Sequence, residues 1–394
     1  MRLAVINWSS RRVGGVEEYV AVLLPALKAA GLDVAFWHEH NSPQDRAEIE
    51  VPSGTADFCA AEMGRDDALQ ALRSWKPDAL YVQATHDVHI ENRLLDIAPA
   101  VFFLHTYVGT CISGSKTFTR PIVVPCSRVF GPACLAHYFP HGCGGNNPLT
   151  MVRLYKEQSA RLQALRRYRV VLTHTEHMQK EAAAHGVEAR VVPYPVAAEA
   201  LDQARPGDGS WRLLFAGRME SIKGGLMMIE SMPLAQKAAG RPIRVIMAGD
   251  GRDRAQWESR ARAIEAAHDQ IRFEFTGWLR QDQIGACMKS ADLLVVPSLW
   301  PEPFGSVGPA AGQHGLPAAA FAVGGIPQWL HEGVSGHLAP GDPPAAAGLA
   351  QAIVKCLEDP LHYMALRAGA REVACTFTMK QHLPHLLATL DSLQ

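Results

Sequence analysis

The feature that most constrains the fold is an alternation of short, continuous apolar runs with longer helical stretches along nearly the whole chain. Such runs are typical of parallel strands that helices cover on both faces. The predicted strands of the first half are Leu3–Asn7, Asp33–Trp37, Ala79–Gln83, Ala100–His105 and Val170–Thr175. Those of the second half are Arg212–Gly217, Arg244–Gly249, Arg272–Thr276, Leu293–Ser298 and Pro317–Ala322. Two such series predict an α/β protein with two doubly wound domains.

The 394 residues are too many for one ordinary hydrophobic core, which also favours two domains. Asp202–Ser210 is polar and rich in turn-forming residues, so it is the predicted linker. We therefore expect a first domain at residues 1–200, a second at 201–377, and a functional cleft between them. Residues 106–148 are rich in Gly, Pro, Cys and His and interrupt the alternation, which predicts a long loop or insertion.

Composition excludes several classes of protein. Hydrophobic residues make up 48% and charged residues 20% of the chain, which is typical of a soluble globular protein. The net charge of -1 provides no overall field that would recruit nucleic acid. No apolar run reaches 18 residues, so we expect no membrane span, and the direct start into Leu3–Ile6 without a leader predicts a cytoplasmic location.

A basic helical stretch, Arg153–Arg169, follows the insertion. Its basic residues fit a solvated helix face. They also fit a surface that contacts anionic lipid at the inner membrane face or an acidic acceptor. The sequence leaves both interpretations open.

Four of the eight cysteines fall within 33 residues of the insertion: Cys111, Cys126, Cys134 and Cys143. In a cytosolic protein, clustered cysteines indicate metal binding more than disulfides. The spacing matches no C-x-x-C site, however. The alternatives are half-buried thiols in a loop-rich segment, or a structural zinc with His137 or His141 as a substitute ligand.

Charged residues follow two strands of the second half at the points where those strands end. Arg218 and Lys223 come after the strand that ends at Gly217, and Glu302 comes after the strand that ends at Ser298. Ligands of open α/β sheets bind beyond the carboxyl ends of the strands. Two cations beside a glycine-flanked turn suit a diphosphate, since Arg offers a planar fork and Lys a point charge.

Two features of the first half point to the same cleft. Gly14 and Gly15 lie between the first strand and a predicted helix at Val16–Ala29, where backbone amides can approach a phosphate or a sugar. An ordinary strand-to-helix turn would also use glycine. His105 ends a strand and would face the cleft, where histidine can carry a proton or orient a hydroxyl group.

Together these stretches resemble family 4 of the retaining glycosyltransferases, which have the GT-B architecture of two Rossmann-like domains facing a cleft. The run from Ala291 to Gly336 is the most specific part of the resemblance, and the first half is looser. The matching stretches follow the family's order and spacing, and they are Gly14–Glu17, His105, Gly217–Gly224, Ala248–Gly251, Thr276–Leu279, Ala291–Ser298, Glu302–Gly305, Gly315–Pro317, Val323–Pro327 and Gly333–Gly336.

The resemblance implies transfer of a sugar from a nucleoside-diphosphate sugar to a hydroxyl group of a glycan, a lipid-linked sugar or a small molecule. Arg218 and Lys223 would hold the diphosphate, Glu302 would reach hydroxyls of the donor sugar, and His105 would lie near that sugar and the acceptor. The family retains the anomeric configuration, by same-face attack in which the leaving phosphate takes the acceptor proton. The donor-binding residues that it implies are Gly14, Gly15, Arg218, Lys223, Glu302, Phe304, Gly305, Ser306 and Val307.

The resemblance also implies that no cofactor or catalytic metal is required, because two basic side chains meet the diphosphate. The first domain would lie on the acceptor side. In this architecture the last helix, within residues 378–394, crosses back onto the first domain.

Two positions depart from the family's pattern. The second glutamate, which holds the ribose hydroxyls of the nucleotide, is replaced by Ala310, and Glu220 and Gln313 are candidate substitutes. The glutamate that follows the Gly-Gly-Ile-Pro turn is replaced by Gln328. A nucleotide-sugar-binding relative without turnover therefore remains an alternative, as does a GT-B epimerase or phosphorylase.

Overall fold

The computed structural model describes residues 1–196 and 209–393. The strands of its first part are β1 (Arg2–Ser9), β2 (Asp33–His40), β3 (Ala56–Cys59), β4 (Ala79–Val82), β5 (Ala100–Phe103), β6 (Thr117–Phe118), β7 (Val124–Pro125), β8 (Val170–Thr173) and β9 (Ala189–Val191). Its helices are α1 (Gly15–Ala29), α2 (Ala60–Met63), α3 (Arg65–Trp75), α4 (Val88–Leu95), α5 (Ala133–His137), α6 (Pro148–Leu165) and α7 (Glu176–Ala184).

The second part begins with β10 (Trp211–Ala216). Its further strands are β11 (Ile243–Ala248), β12 (Ile271–Gly277), β13 (Leu293–Val296), β14 (Ala318–Phe321) and β15 (Gly336–Ala339). Its helices are α8 (Gly225–Ala239), α9 (Arg254–Ala267), α10 (Gln281–Ser290), α11 (Val307–Gln313), α12 (Ala346–Leu357), α13 (Pro360–Ala374) and α14 (Met379–Asp391), and 3₁₀ turns lie at Ser221–Lys223 and Ile326–Gln328.

Each part contains one parallel sheet with helices packed against it. Within residues 1–196 the strand order is β3-β2-β1-β4-β5-β8-β9, and within residues 209–393 it is β12-β11-β10-β13-β14-β15. Both orders reverse direction beside their first strand, as in doubly wound Rossmann-like folds. The prediction of two such domains is therefore confirmed, and the reversal points lie between β1 and β4 and between β10 and β13.

The cores explain why the predicted apolar runs form strands. Leu3, Ala4, Val5 and Ile6 of β1 are all fully buried, because helices cover both faces of a strand that pairs on each side with a parallel neighbour. All ten predicted strands are present, with ends that differ by a few residues. The edge strands β3, β9 and β15 were not predicted.

The linker prediction at Asp202–Ser210 lies almost entirely outside the described residues. The insertion predicted at residues 106–148 contains the short strands β6 and β7, the helix α5 and a small apolar cluster of its own around Ile112, Phe130 and Tyr138.

The last helix, α14, packs against α1 of the first part. His382 of α14 anchors it, with hydrogen bonds of 2.7 Å to the hydroxyl of Tyr19 and to the carbonyl oxygen of Pro193. The chain therefore ends on the half of the molecule in which it begins.

Candidate functional site

The loops that follow β10 and β13 are fastened to each other at the carboxyl edge of the second sheet. The backbone amide of Leu299 donates to the carbonyl oxygen of Ile222 at 2.8 Å. Gly224 ends the 3₁₀ turn with a φ of +70°, and a Cβ atom there would lie 1.8 Å from the carbonyl oxygen of Pro297. Only glycine allows this approach, so the sequence Lys223-Gly224 places the lysine beside the loop that carries Glu302.

Lys223 and Glu302 form a half-buried ion pair at this junction. The ammonium Nζ of Lys223 lies 2.7 Å from Oε1 of Glu302, and the hydroxyl of Ser298 donates to the same oxygen at 2.5 Å. The ring of Trp300 lies below the ammonium, with its centroid 4.9 Å from Nζ. Two donors therefore hold the carboxylate in the loop after β13, and the aromatic ring supports the ammonium group.

Arg218 lies at the same sheet edge and is much more exposed. Its side chain is 59% accessible and pairs with Glu220 at 3.3 Å. Exposed pairs of this kind contribute little free energy, so the guanidinium can exchange that partner for an anion in the cleft.

The two domains approach each other closely at the predicted glycine turn. A Cβ atom on Gly15 would lie 3.7 Å from the hydroxyl oxygen of Ser306, and the hydroxyl of Tyr194 donates to the carbonyl oxygen of Gly15 at 3.0 Å. Gly14 is the extended N-cap of α1. Gly15 thus lies against Ser306 of the second domain, with Gly14 directly before it in the chain.

His105 lies in a buried aromatic cluster. Its Nε2 atom is 2.9 Å from Oε1 of Gln83, and its ring stacks on Phe103 at 4.4 Å. Burial, together with the neighbouring His174, holds the pKa of His105 well below its ordinary value. The imidazole is therefore neutral at pH 7 and can orient a group by hydrogen bonding.

Phe304 connects this cluster to the Glu302 loop. Its ring stacks on His174 at 5.4 Å and meets Tyr194 edge-on at 5.3 Å, and both of those rings contact His105. In space, therefore, only the rings of His174 and Tyr194 connect His105 to Phe304 among the described contacts. No direct contact joins His105 to Lys223 or Glu302 among the described residues.

Two residues that the sequence analysis did not single out fasten the Glu302 loop from the first domain. The hydroxyl of Tyr107 donates to the carbonyl oxygen of Pro301 at 2.6 Å, and the hydroxyl of Thr175 donates to that of Pro303 at 2.8 Å. Both follow strands, β5 and β8, at their carboxyl ends. His105 also follows the carboxyl end of a strand. A polar residue at such a strand end is therefore the sequence signal that could have identified Tyr107 and Thr175.

The position at which this chain departs from the second glutamate of the family's pattern lies on α11. Ala310 is partly buried against the core of the second domain. Of the two candidate substitutes, Gln313 donates its amide to the carbonyl oxygen of Ala374, whereas Glu220 lies at the sheet edge, paired with Arg218.

The four cysteines of the insertion line one small cavity of about 20 Å³, together with His137. Burial and the other three thiols raise the pKa of Cys143 to about 12. His141 stacks instead on the rings of Phe118 and His137. Within residues 1–196 and 209–393, no three His, Cys, Asp or Glu side chains are arranged to hold a metal ion, so the structural zinc stays a prediction.

The basic stretch Arg153–Arg169 is only partly a free surface. Arg161 is buried and bonds to the carbonyl oxygen of His86 at 2.6 Å and to Glu91 at 3.3 Å. The exposed basic residues of the stretch are Arg153, Lys156, Arg166, Arg167 and Arg169. None of the described helices has the length and apolar character that crossing a bilayer requires. Contact with a membrane surface remains a prediction that rests on fewer cations.

The second domain is similar in sequence to a known protein family. Residues 210–359 match the family model described as "Glycosyl transferases group 1". The 2-deoxystreptamine glucosyltransferase of Streptomyces kanamyceticus is 33% identical over 234 residues, 54% of this chain and 58% of that relative. The chain thus spans little more than half the length of this curated relative.

Longer matches extend the likeness to both domains. The glycogen synthase of Mycobacterium tuberculosis is 31% identical over 413 residues, which covers 94% of this chain and 90% of the synthase. Two solved structures, each 18% identical and fully covered, share the fold: sucrose-phosphate synthase of Thermosynechococcus elongatus, with a TM-score of 0.70, and Anabaena HepE in complex with UDP and glucose, with a TM-score of 0.66.

Proposed function

The chain belongs to the group 1 glycosyltransferase family, and on that premise we propose that it transfers a sugar, with retention, from a nucleoside-diphosphate sugar to a hydroxyl group. The acceptor is a glycan, a lipid-linked sugar or a small molecule. The observation that carries the proposal is the group of Lys223, Glu302 and Arg218 at one sheet edge, opposite Gly15 of the other domain. The two cations suit the diphosphate of a donor, and the carboxylate suits the sugar of the same donor.

The chemistry assigns a separate role to each end of this group. As the bond between the anomeric carbon and the diphosphate oxygen breaks, negative charge grows on the leaving group, and Arg218 and Lys223 stabilise it. Glu302 accepts hydrogen bonds from sugar hydroxyls. The acceptor oxygen bonds to the same face of the anomeric carbon, and its proton passes to the departing phosphate. His105, neutral at pH 7, orients a hydroxyl group rather than supplying a proton.

Backbone contacts complete the donor site. Gly14 and Gly15 allow the first domain to approach the diphosphate, and Phe304, Gly305, Ser306 and Val307 approach the sugar and phosphate from the second domain. The solved structure of HepE named above is a complex with UDP and glucose, which supports a UDP-sugar as the first donor to test. We expect a cytoplasmic location, with Arg153–Arg169 as a candidate contact with the inner membrane face.

The test is a transfer and hydrolysis assay with Lys223→Ala and, as the matched control, Lys237→Ala. Lys237 lies at the other end of α8 and is exposed. Loss of one preorganised donor to a developing negative charge lowers kcat by roughly 100- to 1,000-fold. We expect that loss for Lys223→Ala only.

Because Lys223→Ala also leaves Glu302 unpaired, its thermal unfolding midpoint must be compared with that of the unsubstituted protein. Folded Lys223→Ala protein that keeps full transfer and nucleotide binding would refute the diphosphate assignment. Donor binding without sugar release by the unsubstituted protein, with any acceptor, would favour the binding protein without turnover.

A further inference from the structure

A series of buried hydrogen bonds begins at the last helix and runs into the first domain. Nδ1 of His382 lies 2.7 Å from the carbonyl oxygen of Pro193, and Nε2 of the same ring lies 2.7 Å from the hydroxyl of Tyr19. The hydroxyls of Tyr19 and Tyr81 are also 2.7 Å apart. Because Tyr19 lies on α1, Tyr81 on β4 and His382 on α14, the series joins three elements that are distant in the sequence.

Gln83 and His105 continue this series. Gln83 follows Tyr81 by two residues, so the two side chains lie on the same face of the extended chain. Burial raises the pKa of the Tyr81 hydroxyl, and contacts with Tyr19 and with the amide of Gln83 oppose that rise. Oε1 of Gln83 lies 2.9 Å from Nε2 of His105. The series therefore ends at the ring that the proposed function assigns to a hydroxyl group.

The link between Gln83 and Tyr81 is the weakest in the series. Nε2 of Gln83 is buried and makes no hydrogen bond of ordinary geometry with any residue that the structure describes. Only 2% of the Gln83 surface and 7% of the His105 surface are accessible, so water does not readily replace a partner here. The orientation of the Gln83 amide must therefore follow from its protein neighbours.

The carbonyl group at the start of the series fixes the direction of the bonds that follow. A carbonyl oxygen only accepts, so Nδ1 of His382 donates to Pro193. Burial lowers the pKa of His382 to about 4, so the ring is neutral at pH 7 and its Nε2 atom accepts the proton of Tyr19. The hydroxyl of Tyr19 has no second proton, so it accepts the proton of Tyr81. The oxygen of Tyr81 is then left as an acceptor only.

This acceptor selects one orientation of the Gln83 amide and, through it, one tautomer of His105. The amino group of Gln83 faces the Tyr81 oxygen, and Oε1 faces the imidazole. Burial holds the pKa of His105 well below its ordinary value, so at pH 7 the ring carries one proton. Because Oε1 can only accept, that proton lies on Nε2, and Nδ1 is an acceptor. Nδ1 has no hydrogen bond in the described part of the chain.

We propose that Gln83 is a positioning residue for His105: held by Tyr81, it keeps the ring proton on Nε2 and leaves Nδ1 free to accept a hydrogen bond from a hydroxyl group of the donor sugar. The inference rests on the proposed function only for the identity of that hydroxyl group. The position of the proton follows from bonds within the protein. Through His382, the last helix thus influences the site without contacting the donor.

The first test is the tautomer of His105, measured at pH 7 by long-range ¹H–¹⁵N correlation NMR on protein with ¹⁵N-labelled histidine. The signals of His105 are assigned by their loss in His105→Asn. We expect a single tautomer in the unsubstituted protein, with the proton on Nε2. Gln83→Met removes the acceptor, and Tyr81→Phe allows the amide to turn over. Both variants should therefore show a second tautomer, with the proton on Nδ1.

The matched control is Tyr155→Phe. The hydroxyl of Tyr155 has no hydrogen bond to the residues that the structure describes, and the ring packs in the insertion against Phe130. This variant should give the same histidine spectrum as the unsubstituted protein. Since it also loses one tyrosine hydroxyl, a change confined to Tyr81→Phe belongs to the hydrogen-bonded series.

The second test is hydrolysis of UDP-glucose by the same proteins. A ring with its proton on Nδ1 cannot accept a bond from the sugar, so Gln83→Met should lower kcat/KM about 3- to 10-fold. Tyr81→Phe should lower it less, because Gln83 still accepts from Nε2 in part of the molecules. Tyr155→Phe should leave it unchanged. Loss of activity with a lowered unfolding midpoint and an unchanged tautomer would indicate a merely structural role and would overturn the inference.

The two tests also separate this inference from the proposed function. If the unsubstituted protein hydrolyses no nucleoside-diphosphate sugar, the proposed function fails, while NMR still decides the role of Gln83. A proton on Nδ1 in the unsubstituted protein contradicts that role, and so does a single Nε2 tautomer in both variants. A second tautomer with unchanged kcat/KM contradicts the bond to the sugar. If Gln83→Met does not fold, Tyr81→Phe and the unsubstituted protein give the same decisions.

Discussion

His382 should make the protein less stable in mild acid. It is fully buried where α14 meets the first domain, and its two ring nitrogens bond to Tyr19 and Pro193. Burial lowers its pKa from the ordinary 6.5 to about 4. The folded protein therefore excludes a proton that the unfolded chain binds as the pH falls below 6.5. The stability contributed by the neutral imidazole is present above pH 6.5 and is lost as the pH falls towards 4.

The size of the effect follows from the two pKa values. Between pH 7 and pH 5 the unfolded chain becomes almost fully protonated at this site, whereas the folded chain remains almost fully neutral. Proton linkage then removes about 2 kcal/mol from the free energy of unfolding. His174 lies in the same aromatic region and burial lowers its pKa to about 3, so it adds a contribution of the same sign.

The assay is urea unfolding at pH 7 and at pH 5 of the unsubstituted protein, His382→Gln and the exposed control His89→Gln. Glutamine keeps a polar side chain but does not titrate. His382→Gln should lose about 2 kcal/mol less than the unsubstituted protein between the two pH values. The control should lose the same amount as the unsubstituted protein. Equal losses in all three proteins would refute the assignment of a buried, neutral His382.

Two other predictions follow from single positions in the second domain. Gly224→Ala should cost roughly 3 kcal/mol or more in urea unfolding, because its Cβ would overlap the carbonyl of Pro297. Gly240→Ala has a similar positive φ but open space around it, so it should cost only about 1–2 kcal/mol, and equal costs would contradict the overlap argument. Ala310→Glu should tighten donor binding about 10- to 100-fold by restoring a charge-assisted bond to the ribose, measured by calorimetry, and unchanged affinity would show that the ribose lies elsewhere.

The strands that were not predicted show where an apolar sequence pattern fails to identify a strand. β9 is Ala189–Val191, with an exposed Arg190 at its centre, and β3 includes the exposed Asp57. Strands at a sheet edge are buried less completely than central ones, so they lack the continuous apolar run that identified β1 or β13. Their pairing is fixed by the neighbouring strand, which lies far away in the sequence.

The Cys-rich insertion shows the same limit for a candidate site. The sequence placed Cys111 and Cys143 in one segment, and folding brings all four thiols to one cavity. Neither fact fixes the distances between sulfur atoms that decide metal binding, because those depend on how the loop packs around Ile112 and Tyr138.

The sequence alone determined two parallel sheets and the strand ends that carry Gly15, Arg218, Lys223 and Glu302, because burial on both faces and strand-to-helix turns leave local patterns. Tertiary structure alone decided which of these groups touch. The Lys223–Glu302 pair spans 79 residues and the bond from Tyr107 to the Glu302 loop spans 194. Such contacts depend on how two sheets and their loops are oriented in space, and no local pattern of residues records that orientation.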